Sequence, residues 1–163
     1  TSQVVNWMAI DALYDVARIF DQVNGVETTV SKSDVYEGLR HLKEAGIVDS
    51  SMDVNADLTR ENFAKLCYKL AKVKGRDVSA NDCIIDCADV SEVPNNSYDA
   101  INWAVSRGIL QLDNNNINPS GGFTNQQFQD SLKQILQNNT NLQVVGKTSY
   151  LNEIMHILFY VIK

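Results

Sequence analysis

Residues 97–110 read SYDAINWAVSRGIL: a serine, a run with apolar residues at helical spacing, then Gly108-Ile109. The spacing predicts a helix over about 97–107 that stops at Gly108, because a helix that ends in a left-handed residue favours glycine there and lets the next apolar residue pack back on it. The same order of features starts at Ser33, in SDVYEGLRHLKEAGIV, with Gly46-Ile47 in the corresponding place. Both stretches continue alike. A polar loop leads to an apolar residue and a threonine, Leu58-Thr59 in one and Phe123-Thr124 in the other, and a second helical run follows. Thr59 and Thr124 stand where an N-cap hydroxyl is wanted. The chain therefore contains an internal repeat of helix, Gly-Ile turn, loop, Thr cap and helix, which decides the fold class as all-α.

Working outward, helices are expected near 33–45, 59–74, 97–107, 125–137 and 148–162. A first long helix within 1–22 carries Val4, Trp7, Met8, Leu13, Val16, Ala17 and Phe20 mostly on one face. Strand alternation is scarce. We expect a single domain over 1–163, with repeat one over about 33–73, repeat two over about 84–137, and the terminal helices at 1–22 and 148–162 as candidates to complete a third.

Composition excludes several functions. At 163 residues with 44% apolar and 21% charged residues the chain is an ordinary globular protein, and its net charge of -6 argues against nucleic acid as a partner. The most apolar run, IMHILFYVI, is too short to span a bilayer and is expected to be a buried terminal helix. The start lacks the basic and apolar pattern of a signal peptide, and the absence of an initiator Met reads as a mature or excised fragment. Cys83 and Cys87, in CIIDC, have no neighbouring Cys or His to complete a zinc site, so the three cysteines are expected to be buried thiols. DVNAD imitates a calcium loop at Asp53, Asn55 and Asp57, but its sixth position is Leu58 and its twelfth Ala64, so an Asp-rich turn is the better reading. His41 and His156 stand alone, and no nucleophile, metal or phosphate-loop motif is present. No catalytic residues, metal ligands or cofactor are expected.

The residues of the repeat resemble a known family, the bacterial S-layer homology (SLH) module. DCADVSEVPNNSYDAINWAVSRGIL matches the front half of that module through Asp89, Val90, Tyr98, Ala100, Ile101, Trp103, Ala104, Gly108 and Ile109. LTRENFAKL matches the back half through Leu58, Thr59, Arg60, Glu61, Phe63 and Ala64. The resemblance implies helical repeats packed as a pseudo-threefold bundle, a location outside the cell at its surface, and binding of an anionic, pyruvylated cell-wall polysaccharide. It also implies ligand-binding roles near the Thr-Arg motif, at Asp57, Thr59, Arg60 and Glu61, and at the equivalent Thr124 and Asn125. The later copy departs from the motif: in FTNQQF, Asn125 takes the place of the arginine, and neither loop holds the family's Asp-Gly-Thr turn.

Arg60 is the residue on which the functional reading turns. A cation in the first turn opposes the helix dipole, so it needs a partner. On a helical projection it lies with Ala64, Cys67 and Ala71 at the edge of the apolar side (Phe63, Leu66, Cys67, Leu70, Ala71 and Val73), whereas Lys65, Lys69, Lys72 and Arg76 form a solvated stripe. Either Arg60 pairs with an acid such as Asp57 or Asp89, or its planar fork grips a carboxylate. Trp7 and Trp103, among Ala and Ile at helical spacing, read as core rather than as sugar-stacking platforms. Two functional classes follow: a wall-binding module, or a degenerate SLH-like structural or protein-interaction domain that contacts neighbouring domains of a larger secreted protein.

Overall fold

The computed structural model describes residues 3–26 and 35–139. These form five α-helices, α1 (Asn6–Val23), α2 (Val35–Glu44), α3 (Arg60–Val73), α4 (Tyr98–Ser106) and α5 (Asn125–Asn139), with two short 3₁₀ turns before α4. No strand occurs among the described residues, and no helix there is long and apolar enough to cross a membrane. The expected helix at 148–162 lies outside the described residues.

The repeat is built by its punctuation. Gly46 and Gly108 have φ of 75° and 73°. After each, the chain folds back through the same pair of bonds: Gly46 N–H to Lys43 O and Ile47 N–H to Leu42 O in one, Gly108 N–H to Val105 O and Ile109 N–H to Ala104 O in the other. This double bond satisfies orphan carbonyls and drives the following isoleucine inward; Ile47 and Ile109 are both buried. At the second helix of each copy, Thr59 Oγ1 accepts from Asn62 N–H and Thr124 Oγ1 from Gln127 N–H. Gln127 returns the bond, its Oε1 accepting from Thr124 N–H, so the second copy closes a reciprocal capping box that Asn62 does not close in the first.

Elements of neighbouring copies interlock. The first N–H groups of a helix have no partner within it. Those of Arg60 and Glu61 are taken by Gly121 O and Pro119 O, from the loop of the second copy, and those of Asn6 and Trp7 are taken by Ala56 O and Val54 O, from the loop of the first. Val4 links all three segments, its N–H donating to Phe123 O and its carbonyl accepting from Leu58 N–H. Packing follows the same order, with α1 against α2 and α3 against α4. Phe63 and its counterpart Phe128 meet Phe123 edge-on, with centroids 5.2–6.2 Å apart, at the centre of a core that includes Leu58, Ile101, Trp103 and Ile117.

Three local expectations differ from the structure. The first helix is not amphipathic in place: α1 is buried nearly all round, Asp11 and Asp15 included, so its polar face also faces protein. Val73, the last residue of α3, is 52% exposed, although Leu70 and Ala71 in the same turn are buried. Cys67 and Cys87 are buried, but Cys83 is exposed. CIIDC is loop rather than helix, so its two cysteines do not share a face, and Cys83 lies against Asn102, whose Oδ1 accepts its N–H.

Candidate ligand site

Arg60 opens α3 at the boundary between the two copies. Its Nε–H donates to Ile117 O at 2.8 Å and an Nη2–H donates to Gln111 O at 2.6 Å. Thus the cation in the first turn is held by carbonyl dipoles from the 111–118 loop, 51 and 57 residues away in sequence. Burial pushes the guanidinium pKa down, while the charges of Asp89 and Asp113 push it back up. Among the described residues Arg60 forms no ion pair closer than 4 Å, so neither Asp57 nor Asp89 is a direct partner.

The loop that receives Arg60 is shaped by asparagines. Asn114, Asn115 and Asn118 take positive φ, which asparagine tolerates better than other side-chain-bearing residues. Asp113 and Asn116 exchange both backbone bonds across the tip. On the far side Asp89 accepts from two successive N–H groups, Ile117 to Oδ1 and Asn118 to Oδ2, both at 2.8 Å. Burial raises the Asp89 pKa, but these two bonds and the Arg60 charge outweigh it and hold the group below its ordinary value.

Arg60 forms a shared wall between two open clefts. The larger, about 530 Å³, runs from Arg60 along α5 and is lined by Gln111, Asp113, Gln127, Asp130, Lys133, Gln134 and Gln137, with Gly108 at its edge. The smaller, about 430 Å³, has Arg60 with Asp89, Glu92 and Asp113, and the amides of Asn114, Asn116 and Asn118. Charge separates them. The larger balances two cations against two carboxylates and offers several amide side chains able to donate to and accept from hydroxyls. The smaller sets three carboxylates against one cation and so repels anions.

Of the six expected ligand residues, Arg60 alone lines these clefts. Thr59 and Thr124 spend their hydroxyls on helix caps. Glu61 accepts from Ser97 Oγ and ties α3 to the start of α4. Asp57 is exposed and pairs through its backbone with Val5, and Asn125 is exposed at the first position of α5. Most of the cleft residues not foreseen come from the 111–118 loop and from α5, with Glu92 from a turn before α4. Gln127, Asp130, Gln134 and Gln137, at i, i+3, i+7 and i+10, carry a helical-period polar signal that was present in the sequence.

Other singled-out residues are placed elsewhere. Trp103 is core and meets Tyr68 edge-on, whereas Trp7 is half-buried and lines a separate apolar groove with Tyr36 and Leu39. Asp53 Oδ1 accepts from Asn55 N–H in an ordinary Asx turn, and no cluster of His, Cys, Asp or Glu suited to a metal occurs among the described residues. His41 stacks on Tyr14, with Glu37 3.9 Å away, and His156 lies outside the described residues. Of the lysine stripe's members, Arg76 is not simply solvated: it reaches Asn24 and lies 5.7 Å from the Phe20 ring centre.

Comparison with known proteins reaches the loop that receives Arg60 but not Arg60 itself. Residues 88–128 match the family model described as S-layer homology domain. Searches of curated proteins and of solved structures returned no significant match. The match covers the 3₁₀ turns, α4, the 111–118 loop and the first turn of α5, which includes one side of both clefts. Modules of this family are non-catalytic, cell-surface and cell-wall-binding. Over residues 88–128, a quarter of its length, this chain is similar to the S-layer homology domain.

Proposed function

We propose that the chain is a non-catalytic, extracellular module that retains its parent protein at the cell surface by binding an anionic, pyruvylated cell-wall polysaccharide in the larger cleft. The observation that carries this reading is the position of Arg60. Its guanidinium is oriented by two carbonyls, lines a cleft of about 530 Å³ together with Lys133, and has N–H donors beyond the two already used. A ketal carboxylate would meet Arg60, while the glutamine amides along α5 would serve sugar hydroxyls. The domain is read as a single unit over 1–163. The way residues 3–7 repeat toward the first copy the contacts that 57–61 make toward the second supports the first helix as the back half of a third copy.

The test is retention on purified cell wall with its pyruvate ketals intact or removed by mild acid. The reading expects intact wall to retain the protein, stripped wall to retain much less, and Arg60→Ala to lose the difference. Equal binding to both walls would refute the anionic ligand.

A second reading has its own support. Arg60 spends two of its N–H groups on backbone carbonyls, and Asn125 stands where the other copy would need an arginine, as in a structural or protein-interaction domain that has given up glycan. Arg60→Ala would then reduce stability, while wall retention would be absent in every variant.

A further inference from the structure

We propose that Asp89 is the positioning residue of the Arg60 site, acting through the single peptide unit that joins Ile117 to Asn118. The inference rests on reading the Arg60 cleft as the ligand site and adds to it the group that fixes the guanidinium. One end of that peptide, Ile117 O, accepts from Arg60 Nε–H; the other, Asn118 N–H, donates to Asp89 Oδ2. The second carboxylate oxygen takes Ile117 N–H, so the peptide on either side of Ile117 is anchored to the same acid. A carboxylate at one end and a guanidinium at the other polarise the intervening amide in the same sense, and each bond strengthens the other.

The surroundings leave Asp89 little freedom. The Ile117 side chain is fully buried, and Ala88 N–H donates to Asn115 O while the Asn115 amide donates back to Asp86 O, so the strand of chain before Asp89 is laced to the loop it holds. Asn118, with φ of 52°, is in a conformation that the Asp89 bond helps to maintain. Without the carboxylate, Ile117 O is free to rotate away from Arg60, and the guanidinium loses the bond that aims its remaining donors. Asp89 therefore acts on the ligand without touching it, by aiming the guanidinium through the Ile117–Asn118 peptide; its charge by itself disfavours an anion.

Two measurements test this. In the wild-type protein at mildly acidic pH, Arg60 Nε–H should exchange with water at least about tenfold more slowly than Nε–H of the exposed Arg40, the factor expected of one hydrogen bond between charged or polarised partners. Asp89→Asn should remove most of that protection. It should also reduce the ratio of affinities for pyruvylated over stripped wall polysaccharide about tenfold, with far-UV circular dichroism unchanged. A merely structural loss would lower both affinities together and leave their ratio in place, which would overturn the proposal. So would wild-type Arg60 exchanging as fast as Arg40, a result that needs no variant to fold. If wild type does not distinguish the two polysaccharides, the anionic-glycan reading fails, and the exchange comparison still judges Asp89.

Discussion

Replacing Arg60 with alanine tests the carbonyl contacts before any ligand is added. The variant loses two hydrogen bonds from a charged donor and leaves Ile117 O and Gln111 O without that partner. Bonds of this kind contribute about 1.5–3 kcal/mol each. Against that loss stand the recovered hydration of a half-buried guanidinium and the removal of a cation from a helix N-terminus, the latter worth about 0.3–1 kcal/mol. The balance is a destabilisation of about 2–4 kcal/mol, or a fall in melting temperature of roughly 5–15 °C for a chain of this size. A domain with an ordinary stability of about 5–15 kcal/mol stays folded at 25 °C after such a loss, so binding assays on the variant report on the site. The assay is urea denaturation followed by circular dichroism, with the m-value checked for constancy. Arg60→Lys should recover less than half of the loss, because an ammonium lacks the fork that reaches two carbonyls. A variant within about 0.5 kcal/mol of wild type, the usual range for an unremarkable surface change, would refute the contacts and the placement of the guanidinium with them.

Other predictions concern the frame around the site. Asp15 is fully buried, with Oδ1 3.2 Å from Arg18 and Oδ2 without a hydrogen-bond partner; burial, reinforced by Asp11 and opposed by Arg18, lifts its pKa to about 7. The native state then holds a proton that the unfolded chain releases near pH 4, so stability should fall as pH rises from about 4 to 7, by up to about 4 kcal/mol from this group. Asp15→Asn should flatten the curve, and parallel melting curves for variant and wild type between pH 5 and 8 would contradict this. Gly46→Ala and Gly108→Ala should each cost about 1–2 kcal/mol from the left-handed backbone alone. An added Cβ at Gly46 meets nothing within 4 Å and at Gly108 comes within 3.3 Å of the flexible tip of Gln134, so calorimetry should find the two losses similar; a much larger loss at Gly108 would mean that this cleft edge is rigid.

The fold was legible because its signals are local. Gly46-Ile47 and Gly108-Ile109 end helices by bonds that span five residues, and Thr59 and Thr124 start them by bonds that span three. The family resemblance used Gly108, Ile109 and Thr59 among its residues, and the matched segment takes in most of DCADVSEVPNNSYDAINWAVSRGIL but not LTRENFAKL. The site was legible only at Arg60, whose odd charge placement announced a partner. Its actual partners are backbone carbonyls, which have no sequence identity to read, and they lie in a loop more than 50 residues away. Thr59, Glu61 and Thr124 were singled out by adjacency in the motif, but capping and inter-helix bonding use their polar atoms. Asp89 shows a different case: a motif residue expected as a direct acidic partner of Arg60 instead accepts two backbone N–H groups of the loop that folds over it.

The central claim is that Arg60 confers recognition of an anionic wall polymer, and the most direct measurement is a pair of dissociation constants for wild type on pyruvylated and on mildly acid-stripped polysaccharide, repeated with Arg60→Ala at a temperature well below its melting point. The account predicts a preference of about tenfold or more for the pyruvylated polymer in wild type, the value of one charge-assisted contact, and none in the variant. Equal constants for the two polymers in wild type, or a preference that survives the loss of Arg60, would contradict it.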